Sequence, residues 1–194
     1  MTKRVPVLAT LVVAAAVATM IALGFWQLSR ARWKEQLLAD YRAAEKLPPV
    51  TFPTAPTSGK PPLFRWATGY CLKPVGHRAI AGENRGGEAG YAHIVLCSTG
   101  AEGPGMAVEV GWSKDPNAKF SWPGGPVSGM IGPDKQQRIR LVAASAPPGL
   151  EPSALPSLDS IPNNHRFYAV QWFAFAAIAL IIFVLALRKR SSPK

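Results

Sequence analysis

The chain has 194 residues, enough for one modest domain plus accessory segments, and carries 22 Lys/Arg against 11 Asp/Glu, a formal charge of +11 at pH 7. This charge does not describe a nucleic-acid binder: seven of the basic residues (Lys3, Arg4, Arg166, Arg188, Lys189, Arg190 and Lys194) flank apolar ends, and residues 29–165 hold fifteen Lys/Arg and eleven Asp/Glu, with no basic run interleaved with aromatics. Only two cysteines occur, in neither a Cys-x-x-Cys nor a Cys-x-x-Cys-His pattern, so the usual dithiol-redox and covalent-haem signatures are absent.

Residues 5–28 contain no charged side chain. At about 1.5 Å per helical residue they exceed a hydrocarbon core of roughly 30 Å, and a helix satisfies its backbone internally there. The small triplet Ala16-Val17-Ala18 resembles a signal-peptide cleavage site, but the apolar run continues past it to Leu28, so an uncleaved anchor is expected. Trp26, Arg30, Trp33, Leu37 and Tyr41 recur at helical intervals, which predicts that the helix continues to about Lys46, where Pro48 and Pro49 end it. The stretch "PPVTFPTAPTSGKPP" then reads as linker.

From Leu63 onward short β-like runs alternate with turn-rich separators. The runs are "LFRWATGYCL", "HRAIA", "YAHIVLCS", "MAVEVGWS", "PVSGMIG" and "QRIRLVAA", and they predict a small antiparallel sheet or barrel. Cys71 and Cys97 both fall in this region. A disulfide between them and a pair of buried free thiols remain open readings, since spacing alone carries no distance. "SAPPGLEPSALPSLDSIPNN" forms a strap toward a second uncharged run, residues 167–187. Lys and Arg near the ends of the two runs place both termini in the cytoplasm and export the middle.

The expected layout is therefore a membrane protein of α+β class, with two transmembrane helices flanking a small antiparallel β domain. Its segments are a cytoplasmic N-terminus (1–4), helix (5–28), helical extension and linker (29–62), exported β domain (63–145), strap (146–165), helix (166–187) and basic tail (188–194).

No Gly-x-Ser-x-Gly, Walker or Gly-x-Gly-x-x-Gly motif occurs, so no enzyme class is indicated. His77, His93 and His165 lack metal-ligand spacing, and His77 and His93 read as ordinary satisfied or exposed histidines. His165 stands apart. Pro162 and an asparagine cap place it at the first turn of the second helix, with Tyr168, Trp172 and Phe173 at helical spacing and with Trp26 at the outer end of the first helix. Two readings compete: an aromatic belt at headgroup depth, or an apolar cleft whose neutral imidazole binds the iron of a planar ring such as haem.

The two ends together carry a resemblance. "GFWQLSRARWKEQLL" is similar to the Gly-x-Trp-Gln-x-x-Arg…Trp-Lys motif of the surfeit locus protein family, and "IPNNHRFYAVQWF" resembles that family's Asn-Asn-His-x-x-Tyr-Ala-x-x-Trp-Phe motif. Gly111 and Trp112 also match, whereas "VEVGWSKD" lacks the Asn-Arg pair the family tends to carry before them. The resemblance implies a non-enzymatic assembly factor for a haem-copper terminal oxidase, chiefly cytochrome c oxidase. It implies that the protein binds haem a and aids its delivery to, or stabilisation in, the catalytic subunit. The haem a synthesis machinery and the lipid bilayer would be its further partners, and nucleic acid would not be one. His165 would be the axial iron ligand, with Trp26, Tyr168, Trp172 and Phe173 around the ring. Arg30 and Arg166 would pair with the propionates, or else snorkel to the surface. The alternative is a structural chaperone that braces oxidase subunits without a cofactor. With no transit-like segment before Val5, the expected home is a bacterial plasma (inner) membrane, with the central domain periplasmic.

Overall fold

The computed structural model describes residues 6–54, 59–100 and 105–191, so the expected N-terminal segment 1–4 with Lys3 and Arg4, and Lys194 of the tail, lie outside the described residues. The chain separates into two compact units, residues 1–38 with 161–194, and residues 39–160.

Helix α1 spans Val7–Glu45 and helix α2 spans His165–Ser191. Both are long and apolar enough to cross a membrane. Alanine, leucine and straight-chain polar residues favour α1, and Gly24 is the one glycine among its residues. Its last turn tightens, with the amides of Lys46 and Leu47 donating to the carbonyls of Ala43 and Ala44, before Pro48 and Pro49 stop it. Large apolar side chains point outward along both helices: Leu8 is 77% exposed and Val170 66%. Such surfaces need an apolar surrounding.

The second unit is a seven-stranded sheet. Its strands are β1 (Val50–Thr51), β2 (Trp66–Cys71), β3 (Lys73–Glu83), β4 (Ala89–Ser98), β5 (Met106–Ser113), β6 (Gly125–Asp134) and β7 (Arg138–Ala143). The six β-like runs of the sequence become β2 to β7. The spatial order is β1-β2-β6-β7-β5-β4-β3. The sheet is mixed, not antiparallel as expected, because β1 lies parallel to β2 and β7 parallel to β5. After β5 the chain sets β6 one place away, and the β6–β7 hairpin returns β7 into the gap, parallel to β5. The stretch expected as linker also holds structure: β1 lies in it, and Phe52 beside it is buried. A two-residue edge strand tolerates flanking prolines because its outer side pairs with nothing.

The core gathers Phe52, Ala67, Val95, Val108, Ile131 and Leu141 around the central strands. The sheet curls, so strands that do not pair meet across it. Cys71 on β2 is bonded to Cys97 on β4, with Cα atoms 5.2 Å apart. Arg78 on β3 reaches Asp134 at the end of β6 at 2.6 Å. Arg140 continues that network, 3.7 Å from Asp134 and 2.6 Å from the buried Glu109 of β5. Each buried carboxylate thus has a guanidinium partner, without which its burial would be strongly unfavourable.

The strap is ordered where it follows β7. Trp112 and Glu151 exchange backbone hydrogen bonds of 2.7 and 2.9 Å, and Asn84 donates to the Glu151 carboxylate at 2.9 Å. Gly111 permits this approach, since a β-carbon there would lie 2.8 Å from the Glu151 carbonyl oxygen. The indole of Trp112 is buried and donates to the Gly82 carbonyl. The Gly-Trp pair therefore seats the strap on β5.

The Cys71–Cys97 bond closes a loop of sequence separation 26. By loop-closure entropy it should stabilise the β unit by about 3.5 kcal/mol. Replacing both cysteines by alanine in the full chain should lower its denaturant midpoint accordingly. Alkylation of unreduced wild type, read by mass spectrometry, should add no label; two labelled thiols would refute the pairing.

Candidate functional site

The site is built at the first turn of α2. The Asn164 carbonyl accepts the first helical bond, from the Tyr168 amide, so Asn164 caps the helix and His165 occupies its first position. Along α1, Gly24, Ala31 and Leu38 are buried at seven-residue spacing; along α2, Ala169 and Ala176 repeat the spacing. Small residues on both seams let the backbones come close. The helices approach closely at Gly24, where a β-carbon would lie 2.5 Å from the Phe173 ring. Phe25 meets the same ring edge-on, with centroids 5.3 Å apart.

Beside this seam three polar residues of α1 grip the start of α2. Gln27 Oε1 lies 2.8 Å from His165 Nδ1. Lys34 donates to the Pro162 carbonyl at 2.5 Å, and Glu35 pairs with Arg166 at 2.8 Å. Gln27 and Lys34 are seven residues apart and so share a face. An amide oxygen only accepts, so this contact is a hydrogen bond when Nδ1 carries the ring proton, and in the neutral ring that leaves the lone pair on Nε2. No hydrogen bond engages Nε2 among the described residues.

His165, Trp172 and Phe173 are half-buried along this seam. Tyr168 lies one turn beyond His165 and is 48% exposed. Trp26 is not brought to the seam: two residues from Gly24 places it about 200° around the helix, and it is 53% exposed. Arg30 is exposed and stacks its guanidinium over Trp33 at 4.7 Å. Arg166, by contrast, is committed to Glu35. Gln27 and Lys34 belong to the Gly-x-Trp-Gln…Trp-Lys motif but receive no role from the sequence, and Glu35 is not singled out there, although a seven-residue wheel drawn through Gly24 and Ala31 puts all three on the buried side.

An apolar cleft of about 380 Å³ lies between the other halves of the helices, lined by Val13, Val17, Ile21, Leu180 and Phe183 among others. It is remote from His165: Leu180 is about 22 Å further along α2 at about 1.5 Å per residue.

The β unit holds a second histidine arrangement. His77 Nε2 lies 3.1 Å from His93 Nδ1, and the rings stack with centroids 5.3 Å apart. His93 Nε2 lies 2.8 Å from the Ser113 hydroxyl, which donates to the Asp115 carbonyl at 2.6 Å. That last bond fixes the direction of the chain. The serine proton goes to Asp115, so Ser113 accepts from His93 Nε2–H, and His93 Nδ1 accepts from His77. A serine whose histidine neighbour is already protonated on the facing nitrogen has no general base, so this is not a nucleophilic dyad. His93 is fully buried and is satisfied, as expected of an ordinary core histidine. Among the described residues no group of three His, Cys, Asp or Glu is placed to hold a metal ion.

Paired apolar terminal helices, a mixed sheet formed from the residues between them, and a histidine beside an amide at the helix pair make up the architecture. The chain belongs to the SURF1 family, whose family model matches residues 14–177 and so covers both helices' motif segments and the whole β unit. These surfeit locus proteins are associated with cytochrome oxidase assembly, and they are an assembly-factor family. No curated protein matches the chain.

Burial, then the neighbouring His77, hold the His93 imidazole below its usual range. The unfolded chain binds this proton near pH 6.5 and the folded chain refuses it, so stability is present above about 6.5 and is lost as pH falls below it. Asp134 acts in a lower window. Burial pushes its carboxyl up, but the amide of Gln137, the Arg78 guanidinium and the amide of Gln136 together outweigh that and hold it low, so its contribution disappears only below about pH 4. Amide exchange in β4 and β5 of the full chain should accelerate between about pH 7.5 and about pH 5.5 once intrinsic exchange rates are removed. His93→Gln should flatten that slope; an equal slope in both proteins would sink the assignment.

Proposed function

We propose that the protein handles haem a as cargo during assembly of a cytochrome c oxidase, with His165 as the residue that meets the iron. The observation that carries this reading is the place of His165: a half-buried imidazole at the first turn of an apolar helix, with no hydrogen bond to Nε2 among the described residues. That donor suits haem iron, which takes a neutral histidine nitrogen as an axial ligand. Tyr168 and Trp172 continue the His165 face of α2 one and two turns on, and offer aromatic surface to a planar apolar ring. Of Arg30 and Arg166, the latter is held by Glu35, so Arg30, stacked over Trp33, is the candidate partner for a propionate. Trp26 and Trp33, exposed on the far face of α1, serve as the interfacial belt. Haem a, when bound, supplies the redox iron that the oxidase needs. This chain's residues bind it, orient it and shield one face from water.

Two transmembrane helices at the ends of the chain, with both termini cytoplasmic and residues 39–160 periplasmic in a bacterial inner membrane, complete the reading. The outward apolar faces of both helices support it, and so does the Cys71–Cys97 bond, which persists in oxidising compartments. The partners are the catalytic subunit of a haem-copper oxidase and the machinery that makes haem a.

A reporter active only outside the cytoplasm should work when fused after Pro148 and fail when fused after Lys194. A strong exported signal from the second fusion would reverse the topology.

Co-expressed with haem a synthesis, the wild-type protein should copurify with haem a. His165→Ala should insert normally, because alanine favours the helix, yet copurify with at least about tenfold less haem. His77→Ala and His93→Ala should retain it. Equal haem content and an unchanged spectrum in His165→Ala would remove the ligand assignment and favour a chaperone that braces subunits without cofactor.

A further inference from the structure

We infer that Gln27 is a positioning residue for His165: it selects the Nδ1–H tautomer and thereby turns Nε2, with its lone pair, to the ligand side. The inference rests on the reading of His165 as the iron-binding residue. It starts from geometry that the haem reading does not need.

Gln27 sits on the last turn of the uncharged run of α1, half-buried, one turn beyond Gly24 on the side that faces α2. A primary amide at such depth is unfavourable unless its polar atoms are bonded. Its oxygen lies 2.8 Å from His165 Nδ1. A neutral imidazole carries one ring proton, so an acceptor at Nδ1 leaves only Nε2 basic. Metal-binding histidines are oriented and tuned by such a bond from the opposite nitrogen.

The ring is also held in place from both sides along the chain. Lys34 binds the carbonyl of Pro162, three residues before His165, and Glu35 binds the side chain of Arg166, one residue after it. These contacts fix the backbone of the first turn, while Gln27 alone among the three touches the imidazole. The division of labour gives a sharp expectation: loss of Lys34 or Glu35 loosens the turn, whereas loss of the Gln27 oxygen changes which nitrogen is basic. A Gln27 that merely glued the two helices together would leave the tautomer unaffected.

The substitutions that separate these roles are Gln27→Met, which keeps length and removes the acceptor, and Gln27→Glu, which keeps the acceptor and removes the donor. The chain contains three histidines, so ¹⁵N-histidine labelling of the full protein in detergent gives three ring systems, assigned with His77 and His93 variants. In apo wild type the His165 ring should show Nδ1 protonated and Nε2 bare. Gln27→Met should shift it to the other tautomer or a mixture and weaken titrated haem a by about 10- to 100-fold. Gln27→Glu should restore both. Helix content by circular dichroism, unchanged in all three, shows that the fold is intact.

An Nε2–H tautomer in wild type, or a Gln27→Met protein with the wild-type tautomer, overturns the inference. If the tautomer follows Gln27 while wild type and His165→Ala bind haem a equally, the haem reading falls and the control of the ring by Gln27 stands.

Discussion

Gly24 has no side chain, and the ring of Phe173 occupies the space a β-carbon would take. The rest of the helix pair depends on this one close approach. It sets the register in which Ala31 and Ala169 are both almost fully buried, and with that register fixed, the side chain of Gln27 reaches His165 and that of Glu35 reaches Arg166. A larger residue at 24 would drive the Phe173 ring aside or part the helices. A gap of even about 1 Å would break a hydrogen bond whose useful range is about 2.7–3.2 Å. The polar grip is therefore a consequence of apolar packing a turn away.

Much of the helix pair was legible because its signals are local. Uncharged runs, the Pro-Asn-Asn start of α2 and the paired prolines after α1 depend on neighbours within a few residues. Which faces of the helices meet is not local. Trp26 and Gln27 are adjacent in sequence, yet one faces out and the other bonds to His165; only the seven-residue repeat of small residues distinguishes them. The β-like runs were legible for a similar reason, since alternation is a property of one strand. Strand neighbours are not, and β7 parallel to β5 escaped a reading based on alternation. Phe64 shortens the first run by adopting a left-handed backbone at φ 60°, with its ring buried against Tyr41. His77 and His93, sixteen residues apart, meet only because the register of β3 on β4 sets His77 opposite Val95 and His93 opposite Ala79.

The β unit solves a different problem from the helix pair. It buries Glu109, Asp134 and His93 in a small core. Each is neutralised or satisfied by a partner from a different strand, so the charges and hydrogen bonds tie the curled sheet together where backbone pairing does not. The disulfide does the same at the opposite rim. The Gly111-Trp112 pair then anchors the segment leaving β7. The polar groups hold the architecture in one arrangement; the haem reading draws on none of them.

The two borders of the sheet are also unlike in a way that bears on its behaviour in company. One border, β1, offers a rung only two residues long. The other, β3, is eleven residues long, but its register breaks between Pro74 and Gly76, and it carries Lys73, Arg78 and Glu83. An extended segment from another molecule needs a flat, continuous row of free amides and carbonyls to dock against, and proline, bulge and charge each interrupt such a row. Among the described residues, the two-residue rung of β1 and the proline, bulge and charges of β3 leave an intruding strand only an interrupted template.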